Sequence, residues 1–224
     1  MTLTEHPELI QGSEEWHDQR RGMVTASVVG RLITPKTIKA AGNPDSRSLM
    51  NQLVAERISG WTEPTYMNDD MMRGVMCEPI ARDLYSANHA PATETGFMTR
   101  DDWGHPIGYS PDGLVGTEGL IEVKAPRAKT HIQTIINDEV PLHNVAQCQA
   151  GLLVSGRQWL DFISYCGGLP MYVKRVLPDP RWHEAIVAAV QGLEENASVM
   201  ISAYGRNAQG LAQTERVIEM EMVI

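Results

Sequence analysis

The stretch from residue 93 to residue 124 constrains the fold most. Apolar residues recur at helical spacing before it, but here they fall into short segments of period two at residues 93–99, 107–110 and 120–124, separated by Gly-containing turns. This pattern predicts a meander of strands. It carries two chemically loaded runs, Ser110-Pro111-Asp112-Gly113 and Glu122-Val123-Lys124. In a strand, Glu122 and Lys124 project from one face while Val123 points the other way into a core. The turn Val115-Gly116-Thr117-Glu118-Gly119 allows a hairpin that brings Asp112 beside Glu122. Two carboxylates and a lysine then converge. Asp112, Glu122 and the Val123 carbonyl suit a hard cation such as Mg²⁺, which binds through few carboxylates and keeps several waters. Such an ion polarises a phosphodiester and generates a hydroxide nucleophile, and a second ion can stabilise the leaving oxygen. Lys124 would orient or deprotonate the attacking water, or neutralise the transition state. A short Asp…Glu-x-Lys pattern is ordinarily an exposed hairpin with a surface ion pair. The apolar neighbours Leu120, Ile121 and Val123, and the basic residues that follow, favour a site.

The rest of the chain is read as helices around this sheet. Residues 13–21 form a short helix capped by Ser13, with Glu14 and Glu15 in its first turn, and Gly22 ends it. A second helix starts near Thr25 to Ser27 and runs to about Ile33, followed by an irregular loop at residues 34–45. Ser46 is expected to cap a helix that Gly60 closes. Residues 68–88 have helical spacing despite Pro79, which is expected to kink or restart the helix beside Glu78. Further helices are expected at 129–136, 142–154 and 181–204, a hairpin at 159–165 and 171–176, and a final strand near 217–224. No repeat or linker interrupts the chain, so one α/β or α+β domain over residues 1–224 is expected, with its core at about 13–178 and a C-terminal helix and tail at 179–224.

The 19 basic and 28 acidic side chains leave a net charge of −9, which weighs against a nucleic-acid partner. The local distribution reverses that inference. Residues 19–44 carry Arg20, Arg21, Arg31, Lys36 and Lys39 with no acid, and residues 123–137 carry Lys124, Arg127 and Lys129 with no acid. Cys77, Cys148 and Cys166 are scattered, which argues against a disulfide framework or a cysteine-based metal site. No apolar run is long enough for a membrane span and the N-terminus is acidic, so a cytoplasmic protein without membrane attachment is expected.

Five blocks taken in order resemble the lambda exonuclease or YqaJ-like viral recombinase group of PD-(D/E)xK nucleases. They are Trp16-His17 with Arg20 and Gly22-Met23-Val24-Thr25-Ala26-Ser27; Arg73-Gly74 with Glu78; Ser110-Pro111-Asp112-Gly113; Glu122-Val123-Lys124-Ala125-Pro126; and Ala146-Gln147-Cys148-Gln149. The resemblance spans roughly residues 16–165 and implies a restriction-endonuclease-like fold, a central mixed β-sheet flanked by helices. It also implies that Asp112, Glu122 and the Val123 carbonyl hold Mg²⁺, as two ions with Mn²⁺ as a substitute. Lys124 would serve the water, and Glu78 would reach in from its helix. Arg20, Ser27 and Ser110 match positions of a pocket for the 5′-phosphate of a DNA end, and Gln147 matches a glutamine that lines the site. The implied activity is 5′-to-3′ digestion of double-stranded DNA ends, releasing 5′-mononucleotides and leaving 3′ single strands for phage recombination. The implied assembly is a toroidal homotrimer, and the implied partner is a single-strand annealing protein in the host bacterial cytoplasm. The alternatives are another nuclease of the superfamily, an endonuclease or a Cas4-like enzyme, and a catalytically silent DNA-binding module. The tryptophans are read as core. The C-terminal 50 or so residues carry no resemblance.

Overall fold

The computed structural model describes residues 2–64 and 66–217. Its elements in chain order are β1 (Leu3–His6), α1 (Glu14–Arg20), β2 (Val24–Thr25), α2 (Ala26–Val29), β3 (Ile33–Thr34), β4 (Lys39–Ala40), α3 (Pro44–Ser59), α4 (Asp69–Asn88) and β5 (Ala92–Thr93). There follow β6 (Phe97–Arg100), β7 (Ile107–Tyr109), β8 (Gly113–Val115), β9 (Gly119–Lys124), α5 (Ala128–Asn137), α6 (Leu142–Ser155), β10 (Trp159–Ser164), β11 (Tyr172–Val176) and α7 (Pro180–Asn207). This is a mixed α+β architecture, as expected.

The expected mixed sheet is present and divided in two. One sheet has the order β1-β6-β7-β2, with β2 parallel to β7 and the other pairs antiparallel. The other has the order β11-β10-β9-β8-β5, with only β9 and β10 parallel. The segment predicted as one meander therefore crosses between sheets: β6 and β7 belong to the first, β8 and β9 to the second. Ser110-Pro111-Asp112 is the crossing point. Pro111 has no N–H to offer a ladder, so it suits a place where pairing must stop.

The period-two alternation of β9 sorts its residues onto two faces. Leu120 packs in the main core with Leu160, Phe162 and the α6 residues Ala146, Cys148, Ala150 and Leu152. Ile121 and Val123 pack on the other face with Ala81 and Tyr85 of α4 and Ile163 of β10. The sheet is thus covered by α4 on one side and α6 on the other. Along α7, Trp182, Ile186, Ala189, Val190, Leu193 and Ala197 form one buried stripe.

Several local expectations are corrected. The second helix is a single α turn continued by a 3₁₀ turn at Gly30–Leu32, because the chain must turn into β3 at Ile33. The 34–45 segment contains the antiparallel β3–β4 hairpin. The third helix starts at Pro44, capped by the Asn43 side chain, which accepts from the Ser46 N–H; proline at the first helical position is preorganised for this role. α4 runs through Pro79 without restarting, and only the Val75 carbonyl loses its i+4 donor. β1 was not foreseen: it is a polar, largely exposed edge strand on β6 and has no hydrophobic alternation to betray it. The final strand near 217–224 lies, apart from Val217, outside the described residues. Cys77, Cys148 and Cys166 are free thiols. Among the described residues no helix is long and apolar enough to cross a membrane.

Candidate active site

The register of the β8–β9 hairpin builds the centre of the site. Gly113 pairs with Ile121, so the residue before Gly113 and the residue after Ile121, Asp112 and Glu122, come side by side. The Asp112 carboxylate accepts a 2.6 Å hydrogen bond from the Val123 N–H. Glu122 is 1% exposed and acts as a hub. Its Oε1 accepts from Lys124 Nζ at 2.7 Å and from Gln147 Nε2, and its Oε2 accepts from the Tyr109 hydroxyl at 3.4 Å. Gln147 reaches in from α6. From the other face of the sheet α4 supplies Glu78, held at 3.2 Å by Arg82, whose Nη1 also donates to the Asp112 carbonyl.

These carboxylates oppose one another. Burial, then the neighbouring Glu122 and Glu78, push the Asp112 carboxyl well above the usual range. Burial also raises Glu78, against the pull of Arg82. Burial by itself would lower the Lys124 ammonium, but Glu122 and Asp112 beside it raise it overall. Burial raises the Cys148 thiol, so it stays protonated and inert.

The donor set fits a hard divalent ion. Asp112, Glu122 and Val123 all line one cavity of about 700 Å³, together with Glu78, Lys124 and Gln147. Among the described residues no group of three or more His, Cys, Asp or Glu forms a ready metal cage. A pair of hard carboxylates with adjacent main-chain oxygen is the manner in which Mg²⁺ is bound, its remaining ligands being water or substrate oxygens.

Arg20, Ser27 and Ser110 line the same cavity. Arg20 leaves α1 with its guanidinium 3.7 Å above the Trp16 ring, and its Nη2 donates to Ser27 Oγ at 3.2 Å and Thr25 Oγ1 at 3.4 Å. The two hydroxyls are 3.0 Å apart. Burial, opposed by Glu56, brings the Arg20 pKa down to about 10, which leaves the guanidinium charged at neutral pH. Trp16 Nε1 donates to Ser110 Oγ at 2.9 Å, so the Ser110 hydroxyl hydrogen is free to point at an anion. Because α2 is one turn long, anion binding here falls to the guanidinium and the hydroxyls and not to a long helix dipole. The junction bearing this group is clamped from α3: Glu56 accepts from the Gly22 N–H at 2.7 Å and Arg57 donates to the Gly22 carbonyl at 2.7 Å. Gly22 has φ +67°, and a Cβ there would lie 2.5 Å from Arg57 Cγ, so glycine is required.

All eight side chains singled out in the sequence, Arg20, Ser27, Glu78, Ser110, Asp112, Glu122, Lys124 and Gln147, line this cavity, as does Val123. Thr25, Trp16, Tyr109 and Arg82 went unassigned. Trp16 is buried, as a core tryptophan should be, yet it contacts Arg20 and Ser110. Its place next to His17 and Arg20 in the first block was the available signal. For Arg82 the signal was its i,i+4 spacing from Glu78.

The fold and sequence have known relatives. The chain is similar to an alkaline exonuclease (LHK-Exo) from Laribacter hongkongensis, at 33% identity over 89% of this chain and 100% of that one, with a TM-score of 0.79. The structure of LHK-Exo in complex with dAMP gives the same identity and coverage and a TM-score of 0.80. A phage-related exonuclease from Haemophilus somnus 129PT, 13% identical over 81% of this chain and 96% of its own, shares the fold with a TM-score of 0.64. No curated protein matches the chain in sequence. The model of the YqaJ-like viral recombinase domain matches residues 15–158, and the chain belongs to that family.

Proposed function

We propose that the chain is a Mg²⁺-dependent exonuclease that digests double-stranded DNA from its 5′ ends, releasing 5′-mononucleotides and leaving 3′ single strands for annealing. A nuclease is the activity that the family and the alkaline exonuclease relative support. The deoxynucleotide in the relative's complex supports DNA as substrate. One observation carries the finer reading: the carboxylate cluster and the Arg20 group share a single cavity. Ser110 belongs to one and Asp112 to the other, two residues and thus at most ~7 Å of chain apart. A terminal phosphate anchored at Arg20, Ser27 and Ser110 would place the next phosphodiester within reach of Asp112 and Glu122.

Each side chain has a definable task. Asp112, Glu122 and the Val123 carbonyl would hold Mg²⁺, which when bound would polarise the scissile phosphate and acidify a water. Glu122 fixes Lys124 through one ammonium hydrogen, leaving two that can orient the water or meet the charge that builds on the phosphoryl oxygens. Gln147 and Tyr109 fix Glu122 itself. Glu78 would add a third carboxylate from α4 if a second ion is bound.

A toroidal homotrimer, a phage single-strand annealing partner and residence in the host bacterial cytoplasm complete the proposal. They rest on the family membership. A ring that encloses DNA also suits a chain of net charge −9, since enclosure retains a duplex without a broad basic face. The polarity is tested with a linear duplex labelled at its 5′-phosphates or at its 3′ ends. Early release of the 5′ label as a mononucleotide supports the reading, and early release of the 3′ label contradicts it.

A further inference from the structure

We infer that Arg82 is a positioning residue that sets the spacing of the two carboxylates contributed by different elements, and thereby the Mg²⁺ affinity of the site. The inference rests on the Mg²⁺ reading above. Arg82 lies one helical turn after Glu78 on α4 and is 8% exposed, a buried arginine among carboxylates. One guanidinium nitrogen, Nη1, donates both to Glu78 Oε1 at 3.2 Å and to the Asp112 carbonyl; the other terminal nitrogen, Nη2, lies 3.5 Å from Glu94 Oε1. The Asp112 carboxylate is tied in turn to the Val123 N–H at 2.6 Å. A continuous chain of contacts therefore runs from α4 through Arg82 to the sheet crossing and on to β9.

Three observations give Arg82 a role beyond an ordinary helix ion pair. Its partners come from three segments, α4, the β7–β8 crossing and the loop after β5. Its stem packs on the crossing itself: Arg82 Cδ lies 3.5 Å from the position a Gly113 Cβ would take, an ordinary van der Waals contact with the residue that follows Asp112. And it balances the site: Lys124 neutralises charge at Glu122 on the α6 side, Arg82 at Glu78 on the α4 side. A lysine could supply the charge but has one nitrogen, whereas the guanidinium reaches Glu78 and the Asp112 carbonyl with Nη1 and the Glu94 carboxylate with Nη2. Arg82 is directed at the protein's own oxygens, so its loss should weaken metal binding and leave the chemistry of the metal-loaded site intact. Groups that orient metal ligands typically contribute about 10–100-fold to affinity.

The test is Arg82→Lys, read by the thermal shift on titration with MgCl₂ and by the Mg²⁺ dependence of nuclease activity. The concentration of Mg²⁺ at half-effect should rise about 10–100-fold in both readouts, with kcat at saturating Mg²⁺ close to that of the parent chain. Arg82→Ala supplemented with methylguanidinium is the second variant, and added methylguanidinium should restore part of the lost Mg²⁺ affinity. An unchanged half-effect concentration, or a kcat loss that excess Mg²⁺ does not repair, would overturn the inference. Failure of both variants to fold would assign Arg82 to stability alone and overturn it equally. The underlying reading fails separately, if the parent chain shows no Mg²⁺-dependent thermal shift or Asp112→Asn binds Mg²⁺ as well as the parent does.

Discussion

The carboxylate of Asp112 accepts a 2.6 Å hydrogen bond from the backbone N–H of Val123, which joins the crossing between the two sheets to the strand that carries Glu122 and Lys124. One oxygen is committed to this bond, and the other is left for a cation. Asp112→Asn can keep the bond through its amide oxygen while losing the charge. The variant should fold with a parent-like melting temperature and lose on the order of 10²-fold or more in nuclease rate, the scale of removing one electrostatic group from a preorganised site. Release of acid-soluble nucleotide together with a thermal melt checks both halves.

Gln147 donates to the same Glu122 oxygen that Lys124 holds. Gln147→Leu should lower activity by about 10–100-fold, because Glu122 would keep its bond from Lys124 but lose the amide that fixes its orientation. Steady-state kinetics at saturating Mg²⁺ decide this; unchanged activity would take Gln147 out of the site.

Trp16 presents its face to Arg20 at 3.7 Å and its Nε1 to Ser110 at 2.9 Å. Arg20→Ala should reduce the preference for 5′-phosphorylated over 5′-hydroxyl ends by about 10–100-fold, the range of a lost charged hydrogen bond of ~1.5–3 kcal/mol. Trp16→Phe keeps a smaller aromatic face for Arg20 and loses the N–H to Ser110, so it should reduce the preference less than Arg20→Ala does. The ratio of kcat/KM for the two ends is the readout, since a general loss of stability would lower both rates together.

His183 on α7 has its pKa lowered from 6.5, mainly by burial and against the attraction of Asp179. The folded chain therefore binds a proton less readily than the unfolded chain. Stability is full above about pH 6.5 and declines as pH falls from there toward the folded pKa, because the unfolded state takes up the proton first. Urea denaturation at pH 7.5 and 5.5 should show a smaller acid loss in His183→Gln than in the parent chain, and equal losses would refute the assignment.

The convergence of the candidate residues was more legible in the sequence than the scaffold around them. Asp112, Glu122 and Lys124 lie within one hairpin whose turn glycines and period-two alternation are local signals, so their convergence follows from short-range rules. The entry of Glu78 from α4 and Gln147 from α6 depends on which helix covers which face of the sheet, and the resemblance supplied that where periodicity could not. Asn43 took the cap expected of Ser46 because Pro44 already fixes the first helical turn. The division into two sheets at Pro111 and the polar strand at Leu3–His6 were hidden for one reason: pairing partners far apart in sequence leave no local trace. Trp16 and Arg82 carry no distinctive sequence signal of their own because burial and an i,i+4 ion pair are each ordinary alone; their contacts with the candidate site are to residues 94 and 30 positions away, respectively.

The activity proposed for this cavity is Mg²⁺-dependent hydrolysis of DNA from its ends. It is tested most directly by incubating one plasmid, either linearised or covalently closed, with the purified chain in MgCl₂ or EDTA, with Glu122→Gln alongside. Mononucleotide release from the linear form in Mg²⁺ alone, with none from the closed circle and none from the variant, is the predicted result. Degradation of the closed circle, activity in EDTA or full activity of Glu122→Gln would contradict it.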